Sequence, residues 1–415
     1  MNILLIHQFF LEKDDPGGSR FNEMTKVWIQ EGHRVTVLAG MVNYVTGKTP
    51  DKYVHLKYQL SEYEPGLSVL RCFVSPDYNT NFVGRLWAYF SFVWYGFFGG
   101  VTKLRPQKFD VIIATSPPLF IGLLAWMISK VKRVPYVFEV RDLWPESAIE
   151  TGVLKNKFII RLSFWLEKFI YKRALLVNVL TPAFGEKLRN KKQVPPEKII
   201  YIPNAADFAL SDSVLTTFDR DSFRRTMKWE DKFVIIYVGA HGVANHLIQL
   251  VEVAENINDA KILFVLVGDG MQKQSLVEAV QKKKLTNVEF VGSVPKHEIF
   301  AYILASDVGL SMLKKLDTFK TIFSNKTFDY MACKKPVLVA IDGISRKLVE
   351  DARCGLYAEP ENSKDIIDKI NILKKDPEAL RTMGENGFHF AKNKFDRYVL
   401  ARQYLAEIKK VLYAV

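Results

Sequence analysis

The chain has little cysteine. Cys72, Cys333 and Cys354 are all there are in 415 residues, and no two are spaced as Cys-x-x-Cys. That argues against a disulfide framework and a cysteine-built zinc site, and it suits a reducing cytosol. The seven histidines contain no His-x-x-x-His pair, so no metal is expected. No apolar run reaches the roughly 20 residues that a membrane-spanning helix needs. Met1 leads straight into Asn-Ile-Leu-Leu-Ile-His, with no basic segment and no small-residue cleavage site, so no signal peptide is read. Low-complexity tracts and short-period repeats are missing. With 48% hydrophobic and 25% charged residues, a disordered, collagenous or coiled-coil chain is excluded.

What the sequence does have is an uneven positive charge. Lys and Arg number 58 against 45 Asp and Glu, net +13. Residues 1–200 hold 27 basic and 17 acidic side chains, net +10, and the remainder 31 and 28, net +3. The first half therefore suits an anionic partner such as a membrane surface or a phosphorylated substrate. The excess is spread out and no nucleic-acid module is present, so no nucleic acid is expected. In the same half, Leu86–Thr102 is a 17-residue stretch without charge that holds eight aromatics between Arg85 and Lys103. It suits a membrane interface or a buried helix, and both readings stand.

Short apolar runs alternate with longer helix-type runs. Met1–His7, Arg34–Ala39, Asp110–Thr115, Pro135–Val140 and Leu175–Leu180 read as strands, with helices between them. The pattern restarts at Phe233–Val238 and continues through Lys261–Val267, Asn287–Val291, Asp307–Ser311 and Pro336–Ala340. Between the two series, 195–230 is polar and poorly periodic and reads as a linker. The tail from Ser363 reads as three helical pieces, with Asp376-Pro377 a cap and first-turn pair for the second. The fold class is therefore α/β, as two doubly wound domains in tandem whose ligands sit outside the carboxyl ends of their strands.

Several motifs stand at such ends. Gly17-Gly18-Ser19-Arg20 follows the first strand: it is a phosphate-approaching loop with a fixed cation, or a plain turn. Gly239-Ala240-His241-Gly242 occupies the equivalent place in the second domain, where His241 either donates to a phosphate or packs in the turn. It is not Gly-x-Gly-x-x-Gly, which weakens a dinucleotide reading. Gly268-Asp269-Gly270 reads as a tight turn with Asp269 a helix cap. Lys326 and Asp329 share one helix face. They either meet a diphosphate and a pair of hydroxyls or form a surface ion pair. Glu139, Arg141 and Asp142 crowd one strand end in the first domain, where the charge either serves chemistry or pairs Arg141 with a carboxylate to hold the loop. Asp219-Arg220-Asp221 has the form of an Asp-x-Asp metal motif but lies in the linker, and reads as solvated charge.

With these residues in place, the sequence resembles the family 4 glycosyltransferases. The likeness runs in order through His7 with Pro16–Phe21, Gly32–Val37, Glu139–Ser147, Ile202-Pro203-Asn204, Gly268–Gly270 and Ser324–Ala332. The Arg141–Ser147 stretch is most similar to the bacterial N-acetyl-L-fucosaminyltransferases of O-antigen and capsule assembly. The resemblance implies a GT-B architecture: two Rossmann-like domains facing a cleft, here 1–200 and 201–395, and a last helix, 396–415, crossing back to the first. It also implies a retaining, metal-independent transfer from a UDP-sugar, with no cofactor. The donor-binding set is then Gly17, Gly18, Arg20, Gly239, His241, Gly242, Gly268, Lys326 and Asp329. The catalytic candidates are Asp142, Glu139 and Arg141. Two departures from the family pattern stand out. Thr321 stands where a donor-sugar Glu is usual, and Ala240 and Asn245 lie where the family has cations.

The expected partners are a UDP-sugar donor, a polyprenyl-diphosphate-linked saccharide acceptor and an anionic membrane surface, met peripherally at the cytoplasmic face. The alternatives are a UDP-sugar epimerase of the same fold and a non-catalytic nucleotide-sugar-binding scaffold.

Overall fold

The runs richest in isoleucine, valine and leucine become strands, because a strand covered on both faces has no polar side to show. The computed structural model describes residues 1–413 apart from 13–14, 16–19, 44–46 and 80–81. Its strands form two sheets, each within its own compact unit. The first unit runs to Pro203 and takes in the chain again from Leu400, and the second is Asn204–Val399.

In the first unit, β1 (Asn2–Ile6) leads through α1 (Arg20–Gln30) to β2 (Arg34–Gly40). A hairpin follows, β3 (Tyr58–Glu64) and β4 (Leu67–Cys72), and then α2 (Phe82–Phe98). The next elements are β5 (Val111–Thr115), α3 (Phe120–Lys132), β6 (Tyr136–Val140), α4 (Glu146–Glu150), α5 (Lys157–Arg173), β7 (Leu176–Val179), α6 (Pro182–Asn190) and β8 (Ile199–Tyr201). The sheet order is β3-β4-β2-β1-β5-β6-β7-β8, parallel except for the β3–β4 pair. Ile3, Leu4, Leu5 and Ile6 have no exposed surface at its centre. The strand order reverses beside β1, so the carboxyl ends of β1, β5 and β6 are where a ligand is expected.

The second unit holds α7 (Phe208–Leu215), α8 (Arg220–Met227), β9 (Phe233–Val238), α9 (Ile248–Asn256), β10 (Ile262–Val267), α10 (Lys273–Lys282) and β11 (Val288–Val291). It continues with α11 (Lys296–Ala305), β12 (Val308–Met312), α12 (Asn325–Ala332), β13 (Val337–Ala340), α13 (Ile344–Asp351), β14 (Gly355–Tyr357), α14 (Ser363–Lys375) and α15 (Pro377–Lys394). All its strands are parallel, in the order β11-β10-β9-β12-β13-β14, with the reversal at β9. Asp376 caps α15 by accepting from the Ala379 N–H at 2.9 Å, as the Asp-Pro pair predicts. The last helix, α16 (Arg397–Leu412), belongs to the first unit from Leu400 on. There the Trp28 indole N–H donates to the Ala401 carbonyl at 2.8 Å.

Three segments differ from the sequence expectation. The β3–β4 hairpin was not anticipated, because β3 alternates polar residues along a partly exposed edge instead of forming an apolar run. The stretch expected as a linker contains β8 and the two capped helices α7 and α8. Asp207 accepts from the Leu210 N–H and Asp219 from the Ser222 N–H, each a side-chain cap. Asp219-Arg220-Asp221 is thus more than solvated charge: Asp219 starts α8 and Arg220 pairs with Asp307 at 2.6 Å. The three cysteines are all buried thiols. No described helix is long and apolar enough to cross a membrane.

Candidate active site

In the second unit the ladder continues one residue past its strands. The Gly239 N–H donates to the Val267 carbonyl at 2.9 Å, and the Gly268 N–H to that of Val291 at 3.1 Å. The two following loops then pack backbone against backbone. A Cβ on Gly268 (φ +138°) would lie 2.1 Å from the Gly239 oxygen. One on Gly270 (φ +155°) would lie 2.7 Å from the His241 oxygen. Only glycine fits this approach. The His241 N–H donates to the Asp269 carbonyl, and the Gln272 N–H to that of His241. The N–H groups of Gly239 and His241 are therefore occupied, and those of Ala240 and Gly242 have no hydrogen-bond partner among the described residues. Asp269 is not the cap expected. Its carboxylate accepts from the Gly270 N–H at 2.7 Å, and α10 begins beyond it at Lys273.

His241 itself packs in the turn. Its ring has no exposed surface and sits between the rings of Tyr237 and Phe290, 6.2 Å from each. Neither ring nitrogen has a hydrogen-bond partner among the described residues. Burial, with Lys273 nearby, pushes its pKa down to about 4. The imidazole is thus neutral and inside, and the expectation that it contacts the donor is corrected.

Lys326 is brought to the same loop by α12. Tyr330 pins that helix: its hydroxyl accepts from the Val238 N–H and donates to the Leu310 carbonyl, each at 3.0 Å. Its ring fills the space over Gly309, where a Cβ would be 2.3 Å away. Lys326 then lies along Gly239, with its Nζ 4.7 Å from the centre of the Tyr237 ring. It makes no ion pair among the described residues. Burial brings its pKa down to about 8, and the charge of Asp329 offsets part of that. Asp329 is partly buried one helical turn on. Lys273, which the sequence reading passed over, adds a second cation, its Nζ 3.3 Å from the Gly268 carbonyl. Thr321 sits in a short 3-10 turn and donates to the Thr318 carbonyl at 2.7 Å.

Gly17 and Gly18 lie outside the described residues. Arg20 and Glu139 form a buried pair at 3.2 Å, with side chains 2% and 0% exposed. The Glu139 carboxylate also accepts from Asn178 Nδ2 at 2.8 Å and Thr115 Oγ1 at 3.2 Å. The two guanidinium Nη groups of Arg20 donate to the carbonyls of Pro203 and Ile202. Both expectations are corrected: Arg20 does not present its charge to a phosphate, and Glu139 is not open to an acceptor. They hold the end of β6 and the exit of the chain together.

Arg141 and Asp142, just beyond β6, remain partly exposed. The Arg141 N–H donates to Ser116 Oγ at 3.2 Å, and its Nη1 lies 3.4 Å from His7 Nε2. Burial and the charges of Arg141 and Arg71 hold His7 neutral. Asp142 accepts from Ser147 Oγ at 2.8 Å, and burial raises its carboxyl above the usual range. Among the described residues, no group of three or more His, Cys, Asp and Glu side chains gathers as metal ligands.

Two family models match the chain: a glycosyl transferase 4-like domain over residues 17–205 and glycosyl transferases group 1 over residues 219–390. Among relatives, glycosyl transferase WcaI of Escherichia coli, whose name places it in colanic acid biosynthesis, is 22% identical over 94% of this chain and 96% of its own. N,N'-diacetylbacillosaminyl-diphospho-undecaprenol alpha-1,3-N-acetylgalactosaminyltransferase of Campylobacter jejuni is 22% identical over 70% of this chain and 74% of its own. Among solved structures, Anabaena HepE in complex with UDP-glucose superposes with a TM-score of 0.72 at 19% identity, covering 99% of this chain and all of that one. The two parallel-sheet units have the GT-B fold, and the two family models make the chain a glycosyltransferase. Within that class the chain is a glycosyltransferase of group 1/family 4.

Proposed function

We propose that this chain transfers a sugar, with retention of configuration and without a metal, from a UDP-sugar to a polyprenyl-diphosphate-linked saccharide during surface-polysaccharide assembly. The observation that carries the donor half is Lys326, a partly buried cation without an ion pair, set against the glycine loop at the carboxyl end of β9. A diphosphate beside that loop would meet Lys326, Lys273 and the N–H groups of Ala240 and Gly242. Asp329, one helical turn beyond Lys326, is the residue proposed to take the ribose hydroxyls. HepE, of the same fold, is described with UDP-glucose bound. The acceptor half draws on the Campylobacter relative, whose name carries an undecaprenyl diphosphate. N-acetyl-L-fucosamine as the sugar rests on the resemblance of Arg141–Ser147.

The C1–O bond to the diphosphate breaks as the acceptor hydroxyl bonds to C1 on the same face. The departing phosphate oxygen takes the acceptor proton, so no side-chain base is needed. Lys326 and the loop N–H groups stabilise the charge that grows on the diphosphate. Asp142, supported by Ser147, and Arg141 orient the acceptor at the end of β6. Calorimetry with UDP, GDP and NAD, with and without EDTA, tests the donor site. Micromolar UDP binding that ignores EDTA is expected. A preference for NAD, or no UDP binding, overturns it. Conversion of a UDP-sugar without acceptor would favour the epimerase, and binding without turnover on any lipid-linked acceptor the scaffold.

A further inference from the structure

The covalent chemistry leaves one large feature of the first unit unused. Helices α2, α3 and α5 lie side by side as one layer. Glycines set them close: a Cβ on Gly96 of α2 would be 2.8 Å from Leu124 of α3, and one on Gly122 of α3 would be 2.7 Å from Ile170 of α5. Rings bridge the seams, with Phe90 4.7 Å from Phe120 and Trp126 4.9 Å from Phe169. The outer side of this layer is apolar at both edges. On α2, Trp87, Phe90, Trp94 and Phe98 follow one another at helical spacing and are exposed, the two tryptophans by 61% and 63%. On α5, Phe158, Leu162 and Trp165 repeat the pattern, with Phe158 75% and Trp165 59% exposed. A surface with this many exposed aromatics marks an interaction site.

Its charge selects the partner. The three helices carry eight Lys and Arg and a single carboxylate, Glu167, whose side chain is buried against Lys192. Arg161, Lys168, Lys172 and Arg173 are exposed on α5 and Lys130 on α3. A second copy on this face in two-fold symmetry would set these cations against themselves. Aromatics rimmed by cations, with no exposed anion among them, match the interface of an anionic bilayer.

We infer that the outer side of α2, α3 and α5 is one membrane-docking surface that seats the first unit on anionic phospholipid, with Trp94 and Trp165 inserting from opposite edges. Its purpose rests on the lipid-linked acceptor proposed above, but the surface is read from the helices alone. The two readings therefore fail separately.

The test is flotation of the full chain with vesicles of phosphatidylcholine alone and of phosphatidylcholine with phosphatidylglycerol, without donor or acceptor. Flotation with the anionic vesicles only, weakened by salt, is expected. The Trp94→Ala/Trp165→Ala variant should lose on the order of tenfold or more in partitioning. Its melting temperature and UDP affinity should stay unchanged, because both side chains are exposed and outside the donor site. Equal flotation of variant and parent, or of both vesicle types, overturns the inference. So does light scattering that shows a dimer dissociated by the same variant, which would give the face to a second copy. A chain that floats but accepts only water-soluble sugars keeps this surface and refutes the lipid-linked acceptor.

Discussion

Raising the pH from 7 to 9 should weaken UDP binding about tenfold, through Lys326 alone. In the empty site its pKa is about 8, against an ordinary 10.5, because burial disfavours the charge and only Asp329 favours it. Between these values the folded chain binds fewer protons than the unfolded one, so this group makes stability rise with pH across that window. A bound diphosphate reverses the balance by supplying the missing counter-charge. Binding then requires the protonated amine, which falls from about nine-tenths of the population at pH 7 to about one-tenth at pH 9. The free-energy difference is about 1.4 kcal/mol. His241, with its pKa near 4, does not titrate in this range, and the terminal phosphate of UDP, with a second pKa of about 6, is essentially ionised throughout. Calorimetry from pH 7 to 9, in buffers of different ionisation enthalpy, should show the affinity loss together with net proton uptake. Lys326→Met should bind weakly and without that slope. A wild-type affinity that is flat across the range would refute the placement of Lys326 at the diphosphate.

Four further outcomes follow from the geometry. Lys326→Ala should lower kcat by about 10²-fold or more, read in a transfer assay at saturating donor. His241→Leu should leave UDP affinity within about twofold and leave stability unchanged or raised by about 1 kcal/mol, because it removes a buried polar ring without partners; a tenfold loss of affinity would return the ring to the donor site. Gly268→Ala should cost about 2–4 kcal/mol in urea denaturation, because its Cβ meets the Gly239 oxygen at a positive φ. Glu139→Gln should cost about 3 kcal/mol by leaving the Arg20 guanidinium buried without its counter-charge. Arg20→Met/Glu139→Leu should recover much of that, which separates a structural pair from a catalytic one.

The central strands were legible because burial on both faces demands apolar runs. Phe233–Val238 was read to the residue, and β1, β5 and β13 to within about two. Three of the four edge strands, β3, β8 and β14, had no such signature. In β3 Gln59, Leu60 and Glu62 are exposed, so no one face is cleanly polar, and β8 and β14 are three residues each. The Pro65-Gly66 turn between β3 and β4 was the signal available. The glycine loops after β9 and β10 were legible because a close backbone approach needs glycine, which a sequence displays. Arg20 and Glu139 were misjudged for the opposite reason. Charge at a strand end looks the same whether it faces a ligand or a partner 119 positions away, and only the fold reveals Asn178, Thr115 and the Ile202 carbonyl around it. His241 is a similar case, since its aromatic cage comes from separate strands.

The first unit closes on residues that the ribosome supplies only after the whole of the second unit. Trp28 waits for the Ala401 carbonyl, and its ring packs against Tyr404, 6.1 Å away. Until α16 has emerged, the groove that α16 fills beside α1 stays open, however well the preceding sheet has formed. A nascent chain halted at Pro203 would therefore carry an exposed Trp28 and an unfinished core. Completion of the first unit therefore waits on a segment made after the whole of the second.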